Sequence, residues 1–119
     1  MTPTSGPMAI FDQGDVIRVL FPTDRPVRQH RPALVLSRTG VDEGQRLLWV
    51  LMITSAENRR WPGDVDVGER YEDAGLPAPS LVRTAKIATI EGIRVDRIGR
   101  LPRELLEMVF TTVATTLRQ

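Results

Sequence analysis

An almost unbroken apolar segment spans residues 46–54, with the sequence RLLWVLMIT, and any fold of this chain must bury it. The segment is short for a helix, and turn-forming residues flank it on both sides. Apolar side chains at nearly every position of a strand require that both of its faces be covered by other parts of the chain. The segment therefore predicts a central, doubly buried strand with Trp49 in the core.

Shorter β-rich segments surround this strand. Residues 15–21 (DVIRVLF) and 33–37 (ALVLS) predict a hairpin whose long connection, residues 22–31, is rich in arginine. Further strands are predicted at residues 64–67, 80–84, 86–90 and 97–100. Whether a break separates residues 80–84 from residues 86–90 stays open at this point.

The last part of the chain changes from strand to helix periodicity. Pro102 suits the first position of a helix, and Glu104 suits its first turn, where the helix dipole favours an acid. Apolar residues then recur at four-residue spacing, at Leu105, Val109, Val113 and Leu117. This pattern predicts one amphipathic helix that packs on a sheet. The fold class is therefore mainly β with a C-terminal α-helix.

The length of 119 residues predicts a single domain with one core. Residues 1–13 contain Thr, Ser, Gly and two prolines, which is typical of a flexible N-terminus. We therefore expect the domain to span residues 14–119.

Composition excludes several classes of chemistry. The chain has no cysteine, so disulfides, thiolate nucleophiles and thiolate zinc sites are excluded. His30 is the only histidine. One chain therefore cannot use one imidazole as a general base and a second as a general acid. It also cannot build a histidine-rich metal site. We predict a protein without a metal or a cofactor.

Charge and hydropathy give further limits. The net charge is only +1, but arginines concentrate at residues 18–38 and again at 83–103, with an acidic zone at 64–73 between them. Such a distribution is typical of a polarised surface, or simply of solvated loops. No basic leader begins the chain, and no apolar run reaches the roughly 18 residues of a membrane helix. We expect a cytoplasmic protein with no membrane partner.

An arginine and a threonine mark the predicted ends of two apolar strands. Arg31 precedes one strand and Thr54 ends the other, so pairing of these strands would bring both to one edge of the sheet. An arginine fork and a hydroxyl suit the charge that develops on a phosphodiester transition state. The alternative is that Arg31 is a surface cation and Thr54 hydrogen-bonds to the backbone.

Several short motifs follow one another along the chain: GDVI at 14–17, FPT at 21–23, RPALVLS at 31–37, ITS at 53–55, GLP at 75–77 and RIGRL at 97–101. In their order and spacing these motifs resemble the MazF/PemK toxin family. The resemblance covers nearly the whole chain. It implies a small antiparallel β-barrel of the SH3-like or CcdB-like type, closed by the C-terminal helix.

The same resemblance implies the toxin of a type II toxin–antitoxin system, which inhibits growth. Members of the family are homodimeric, metal-independent endoribonucleases of the mRNA interferase type, and an antitoxin partner blocks their RNA groove. The toxin–antitoxin complex binds DNA. The enzymes cut single-stranded RNA by attack of a ribose 2′-OH, which leaves a 2′,3′-cyclic phosphate and a 5′-OH. The resemblance implies that Arg31 and Thr54 occupy the catalytic positions, where Arg31 would stabilise the phosphorane and Thr54 would hold a phosphate oxygen.

Other side chains are candidate RNA ligands. The set consists of Arg25, Arg28, Gln29, His30, Ser55, Trp61, Arg83 and Lys86. Trp61 follows two arginines, which predicts either a surface that stacks on an unpaired base or a residue that covers the core or a dimer contact. His30 is either an RNA ligand or a solvated loop residue.

Two departures from the family pattern keep other functions open. Many relatives continue after the equivalent of Arg83 with Cys-Asp-Gln, whereas this chain has Thr84-Ala85-Lys86. A further arginine of the relatives is replaced by Ala88. The alternatives are a gyrase inhibitor that resembles CcdB, without nuclease activity, and a family member that binds RNA or antitoxin without cutting.

Overall fold

The computed structural model describes residues 11–21, 29–38, 41–44, 46–92 and 95–118. The described residues form six strands, one α-helix and a 3₁₀ turn at Gly68–Tyr71, which are joined by loops. They are β1 (Asp15–Phe21), β2 (Gln29–Val35), β3 (Leu47–Ser55), β4 (Asp64–Asp66), β5 (Ser80–Glu91), β6 (Asp96–Arg100) and α1 (Arg103–Leu117). The predicted fold class, mainly β with a C-terminal helix, is confirmed.

The strands form one antiparallel sheet in the order β4-β5-β3-β2-β1-β6. The apolar segment at residues 46–54 forms β3, which is paired on both edges, as predicted for a central strand. Among the described residues, β4 and β6 do not pair with each other, so the sheet is open and not a closed barrel.

Apolar side chains cover both faces of the sheet. One group, the helix-side core, includes Val16, Leu34, Leu51, Ile53, Val82 and Val109 of α1. The other group, the far-side core, includes Phe11, Ile17, Val19, Ala33, Val35, Leu48 and Val50. Because alternate residues of a strand point to opposite faces, β3 contributes to both cores. The doubly buried central strand is thus confirmed over most of its length.

Trp49 is the exception within β3. Its predicted place in the core is wrong, because the residue is 48% exposed. Trp49 lies on the same face as Leu51, but α1 packs on β4 and β5 and leaves this end of β3 uncovered. Apolar composition alone does not show how far a covering helix reaches.

The second strand begins earlier than its apolar residues indicate. We predicted a strand at residues 33–37, but β2 starts at Gln29 because pairing with β1 continues through His30 and Arg31, which lie opposite Leu20 and Val19. His30 and Arg31 are therefore strand residues held by a neighbouring ladder. Most of the predicted arginine-rich connection, with Arg25 and Arg28, lies outside the described residues.

The two β-rich runs near residue 85 form one strand with a bulge. In β5, Arg83 lies opposite Met52, and Ile87 lies opposite Leu51. Residues 84–86 of β5 therefore have no partner in β3, although Leu51 and Met52 are consecutive in that strand. A bulge of this kind redirects the side chains that it carries.

The C-terminal helix begins at Arg103, directly after Pro102, close to its predicted start. Val109 is its fully buried residue, and Leu105, Leu106 and Val113 pack partly against the helix-side core. Leu117 extends the predicted apolar stripe but is largely exposed, since it lies at the last residue of the helix. No helix in the described ranges is long and apolar enough to cross a membrane.

The N-terminal part of the described chain packs against the sheet. Phe11 is buried in the far-side core, three residues before the predicted start of the domain. The backbone N–H of Asp12 donates to the carboxylate of Asp15 at 2.8 Å. The Asp15 carboxylate also pairs with Arg97 and Arg100 of β6, both at 2.9 Å.

Two glycines bring the ends of the open sheet together. The segment that follows the 3₁₀ turn crosses β6 so closely that a Cβ on Gly75 would overlap the carbonyl of Ile98, and a Cβ on Gly99 would overlap the carbonyl of Ala74. Gly75 also has φ +76°, which favours glycine. The GLP and RIGRL motifs therefore serve a backbone-to-backbone contact.

We expect Gly99→Ala to lower the free energy of unfolding by about 3 kcal/mol, because the added methyl group meets a backbone that cannot move aside locally. Urea denaturation measures this change. Gly44→Ala is the matched control, since a Cβ there has only side-chain atoms within 4 Å, at 3.4 Å and beyond. Equal midpoints for the two variants would contradict the assignment of this contact.

Candidate active site

The site begins where the apolar ladder of β2 and β3 ends. Val35 pairs with Val50, and Ala33 pairs with Met52. The same register, continued by two residues, brings Arg31 opposite Thr54 on the far-side face. The predicted meeting of these two side chains at one edge of the sheet follows from this register, and the two residues line the same clefts.

Two adjoining clefts share Arg31, Ile53, Thr54 and Asn58. The first cleft has a volume of about 270 Å³ and is further lined by Met52, Arg59, Trp61, Arg83 and Lys86. The second has a volume of about 350 Å³ and is further lined by His30, Pro32, Ser55 and residues 77–80. Together they form a continuous groove centred on Arg31 and Thr54.

The hydroxyl of Thr54 is held by a residue that sequence reasoning missed. Asn58 donates from its side-chain amide to Thr54 Oγ1 at 2.5 Å. The turn that places Asn58 is closed by Ser55, whose hydroxyl accepts from the N–H of Glu57 and whose carbonyl accepts from the N–H of Asn58. This is the local hydrogen bonding by which serine stabilises turns. Ser55 therefore has a structural task as well as a place in the groove.

The opposite wall of the first cleft is the loop between β3 and β4. Arg83 donates to the carbonyl oxygen of Arg59 at 2.6 Å, and its guanidinium carbon lies 4.1 Å from the centroid of the Trp61 ring. The carboxylate of Asp64 accepts from the backbone N–H of Trp61 at 2.8 Å. The wall is thus attached to β5 through Arg83 and to β4 through Asp64.

The bulge of β5 completes this wall. Thr84 donates from its hydroxyl to the carbonyl of Gly63 at 2.8 Å, and Lys86 Nζ lies 6.0 Å from the centroid of the Trp61 ring. Ala85, between them, is exposed. Thr84 and Lys86 therefore both contact or approach the wall.

The groove is strongly cationic. Arg31, Arg59, Arg83 and Lys86 line the first cleft, and none of the described residues that line either cleft is a carboxylate. Cations that converge on a concave surface raise the local concentration of an anionic ligand. The described residues also contain no group of three or more side chains able to hold a metal ion.

The structure brings most of the predicted site residues together. Arg31, Thr54, His30, Ser55, Trp61, Arg83 and Lys86 all line the groove. Arg25 and Arg28 lie outside the described residues, as does the side chain of Gln29. Asn58 and Asp64 were missed, because an asparagine in a polar loop and an acid in an edge strand carry no signal until their partners are known.

Residues 12–117 match the family described as PemK-like, MazF-like toxin of type II toxin-antitoxin systems. Since the match spans most of the chain, the protein belongs to that family. No curated protein sequence matches the chain significantly.

Solved structures with the same fold include a chain of the MazE-MazF complex from Deinococcus radiodurans, at 20% identity and a TM-score of 0.71, covering 92% of this chain and 96% of that one. An endoribonuclease in complex with its cognate antitoxin, from a mycobacterial species, has 20% identity and a TM-score of 0.69, with coverage of 90% and 94%. The Mycobacterium tuberculosis toxin MazF-mt6 has 25% identity and a TM-score of 0.62, with coverage of 86% and 95%. These similarities confirm the fold.

Proposed function

We propose that this toxin is a metal-independent endoribonuclease that cuts single-stranded RNA. The observation that carries the proposal is the convergence of Arg31 and the Asn58-held hydroxyl of Thr54 in one cationic groove. A polyanion that is threaded through the groove would present a phosphate to both groups. Family membership supports the same reaction, and the endoribonuclease named among the structural neighbours shares the fold.

The reaction consists of an internal displacement at phosphorus. The ribose 2′-oxygen bonds to the adjacent phosphorus while its proton passes to a base, and the bond from phosphorus to the 5′-oxygen breaks as that oxygen gains a proton. Arg31 stabilises the charge on the equatorial oxygens and supplies the proton to the leaving oxygen. Thr54 binds a phosphate oxygen in an orientation that Asn58 fixes. The products are a 2′,3′-cyclic phosphate and a 5′-OH.

His30 is a candidate ligand for the RNA rather than a group at the reacting phosphate. It lines the second cleft with Arg31 and Thr54. As the strand neighbour of Arg31 it lies on the opposite face of β2, so it borders the cleft from the other side. Its position in β2, rather than in a loop, supports an oriented role.

Partners follow from the family and from the surface. An antitoxin protein is the expected regulator, as in the antitoxin complexes of the structural neighbours. A second copy of this chain is the other expected partner. Trp49 and Ile87, which are 48% and 50% exposed, lie diagonally across the β3–β5 ladder on one face and offer an apolar surface for it.

The first prediction concerns Arg31. We expect Arg31→Ala to lower the cleavage rate of unstructured RNA in excess EDTA by at least about 100-fold, since a donor to the transition state is lost. Gel mapping with a test for cyclic phosphate at the new 3′ ends measures the reaction. Arg38→Ala is the charge-matched control, because Arg38 is exposed and lines neither cleft.

Other outcomes would select other functions. Full activity of the Arg31→Ala variant would refute the assigned mechanism. Growth arrest with intact RNA and lost topoisomerase activity would favour the gyrase inhibitor that resembles CcdB. RNA binding without cleavage by the folded, antitoxin-free chain would identify a non-catalytic family member.

A second prediction separates an RNA ligand from a solvated residue at His30. We expect His30→Ala to raise KM for RNA about tenfold with little change in kcat, because the lost contact lies away from the reacting phosphate. His30→Gln should keep most of the affinity, since glutamine still makes hydrogen bonds. An unchanged KM in the His30→Ala variant would show that His30 does not contact RNA.

A third prediction tests the second copy. We expect the chain to sediment as a dimer and Trp49→Lys to shift it to a monomer at micromolar concentration, because a charge would be buried in the contact. Leu117→Lys is the control, since Leu117 is an exposed apolar residue at the end of α1. A monomeric unsubstituted chain would refute the dimer.

A further inference from the structure

A buried ion pair lies behind the wall of the first cleft. Asp64 of β4 and Arg83 of β5 occupy opposite positions in the β4–β5 ladder, and their side chains are only 2% and 8% exposed. Their closest nitrogen and oxygen are 4.0 Å apart. A buried pair with this spacing gains little over well-packed apolar residues, because desolvation offsets most of the attraction. Its contacts with the loop are therefore the more informative feature.

The pair holds the loop that carries Trp61 at three points. The carboxylate of Asp64 accepts from the backbone N–H of Trp61 at 2.8 Å, and the backbone N–H of Asp64 donates to the Trp61 carbonyl at 3.1 Å. Arg83 donates to the carbonyl of Arg59 at 2.6 Å. Both ends of the short segment at residues 59–61 are thus tied to the paired strands.

The guanidinium of Arg83 also fixes the indole ring. Its central carbon lies 4.1 Å from the ring centroid, so one face of Trp61 is covered by a cation. The orientation of that guanidinium is set by packing as much as by hydrogen bonding, because Arg83 Nε has no hydrogen-bond partner among the described residues. Trp61 is nevertheless 40% exposed and lines the cleft.

We propose that Asp64 is a positioning residue that acts through Arg83 to hold Trp61 as a stacking platform for a nucleobase next to the phosphate bound by Arg31 and Thr54. The inference rests on the proposed function, since it names a subsite for the same RNA. An aromatic face beside a cationic groove is the combination that binds unpaired bases with little preference for sequence. Asp64 itself touches no substrate.

This arrangement assigns Arg83 a different task from the one the sequence indicates. A nearly buried guanidinium with a backbone carbonyl, a carboxylate and an indole as neighbours supports the wall rather than contacting phosphate directly. Lys86 and Arg59 also line the cleft, and they are the cations that would bind phosphates of the RNA backbone. The platform and the phosphate contacts are therefore separate parts of the groove.

The experiment uses the full chain with Trp49→Phe, so that Trp61 is the only tryptophan, and a fluorescein-labelled, mixed-sequence 2′-O-methyl RNA dodecamer, which has no 2′-OH to attack. The anisotropy of the label measures affinity in every variant, and Trp61 emission measures stacking. We expect the oligonucleotide to quench Trp61 emission. Asp64→Asn should weaken binding about tenfold and reduce the quench, since stacking on a mobile indole is lost. Asp66→Asn is the matched control, because Asp66 lies in the same strand but pairs at the surface with Arg60.

A double-substitution cycle distinguishes positioning from general destabilisation. Trp61→Ala should weaken binding to a similar degree, and Asp64→Asn should add nothing to it, because both remove the same platform. Trp61→Phe should restore most of the affinity. Additive losses, or an unchanged quench in Asp64→Asn, would overturn the inference.

The same titration separates this inference from the proposed function. Binding that leaves Trp61 emission unchanged would overturn the platform alone, and cleavage of ordinary RNA by the unsubstituted chain would then still support the nuclease. No binding at all by the folded chain would overturn both. Urea midpoints within the range of the Asp66→Asn control would confirm that Asp64→Asn is folded, and Trp61→Ala tests the platform without altering the ion pair.

Discussion

The register between β2 and β3 fixes the positions of both the apolar core and the groove. β3 is hydrogen-bonded on both edges and packed on both faces, so a shift by one residue would exchange its two sets of apolar side chains. With Val50 and Met52 fixed in their pairs, Thr54 can only lie beyond them, across from Arg31. The core thereby sets the position of two polar groups that do not belong to it.

The groove is assembled at the point where this apolar ladder gives way to polar residues. One side is made by the turn after β3, in which Ser55 and Asn58 orient the hydroxyl of Thr54. The other side is made by the bulge of β5 and by the buried pair of Asp64 and Arg83, which hold the loop carrying Trp61. These contacts hold both sides of the groove in place, so the proposed site keeps its geometry although it is small and largely exposed.

The sequence anticipated the parts of this protein that depend on local pattern. The central strand, the C-terminal helix and the meeting of Arg31 with Thr54 follow from apolar periodicity and from residues at strand ends. Trp49 was misjudged, because its exposure depends on where α1 lies, and the closed barrel was misjudged, because closure depends on the two end strands. In place of pairing between the two end strands, the segment that contains Gly75 packs closely against Gly99 of β6.

Short stretches of the chain encode the order of the strands and the helix, the motifs of the toxin family and the predicted meeting of Arg31 with Thr54. The structural roles of Asn58, Asp64 and Arg83 emerge only in the folded chain. Asn58 needs a turn to reach Thr54, and Asp64 meets Arg83 only through the pairing of β4 with β5. Such roles depend on contacts between distant segments, which leave no periodic trace in the sequence.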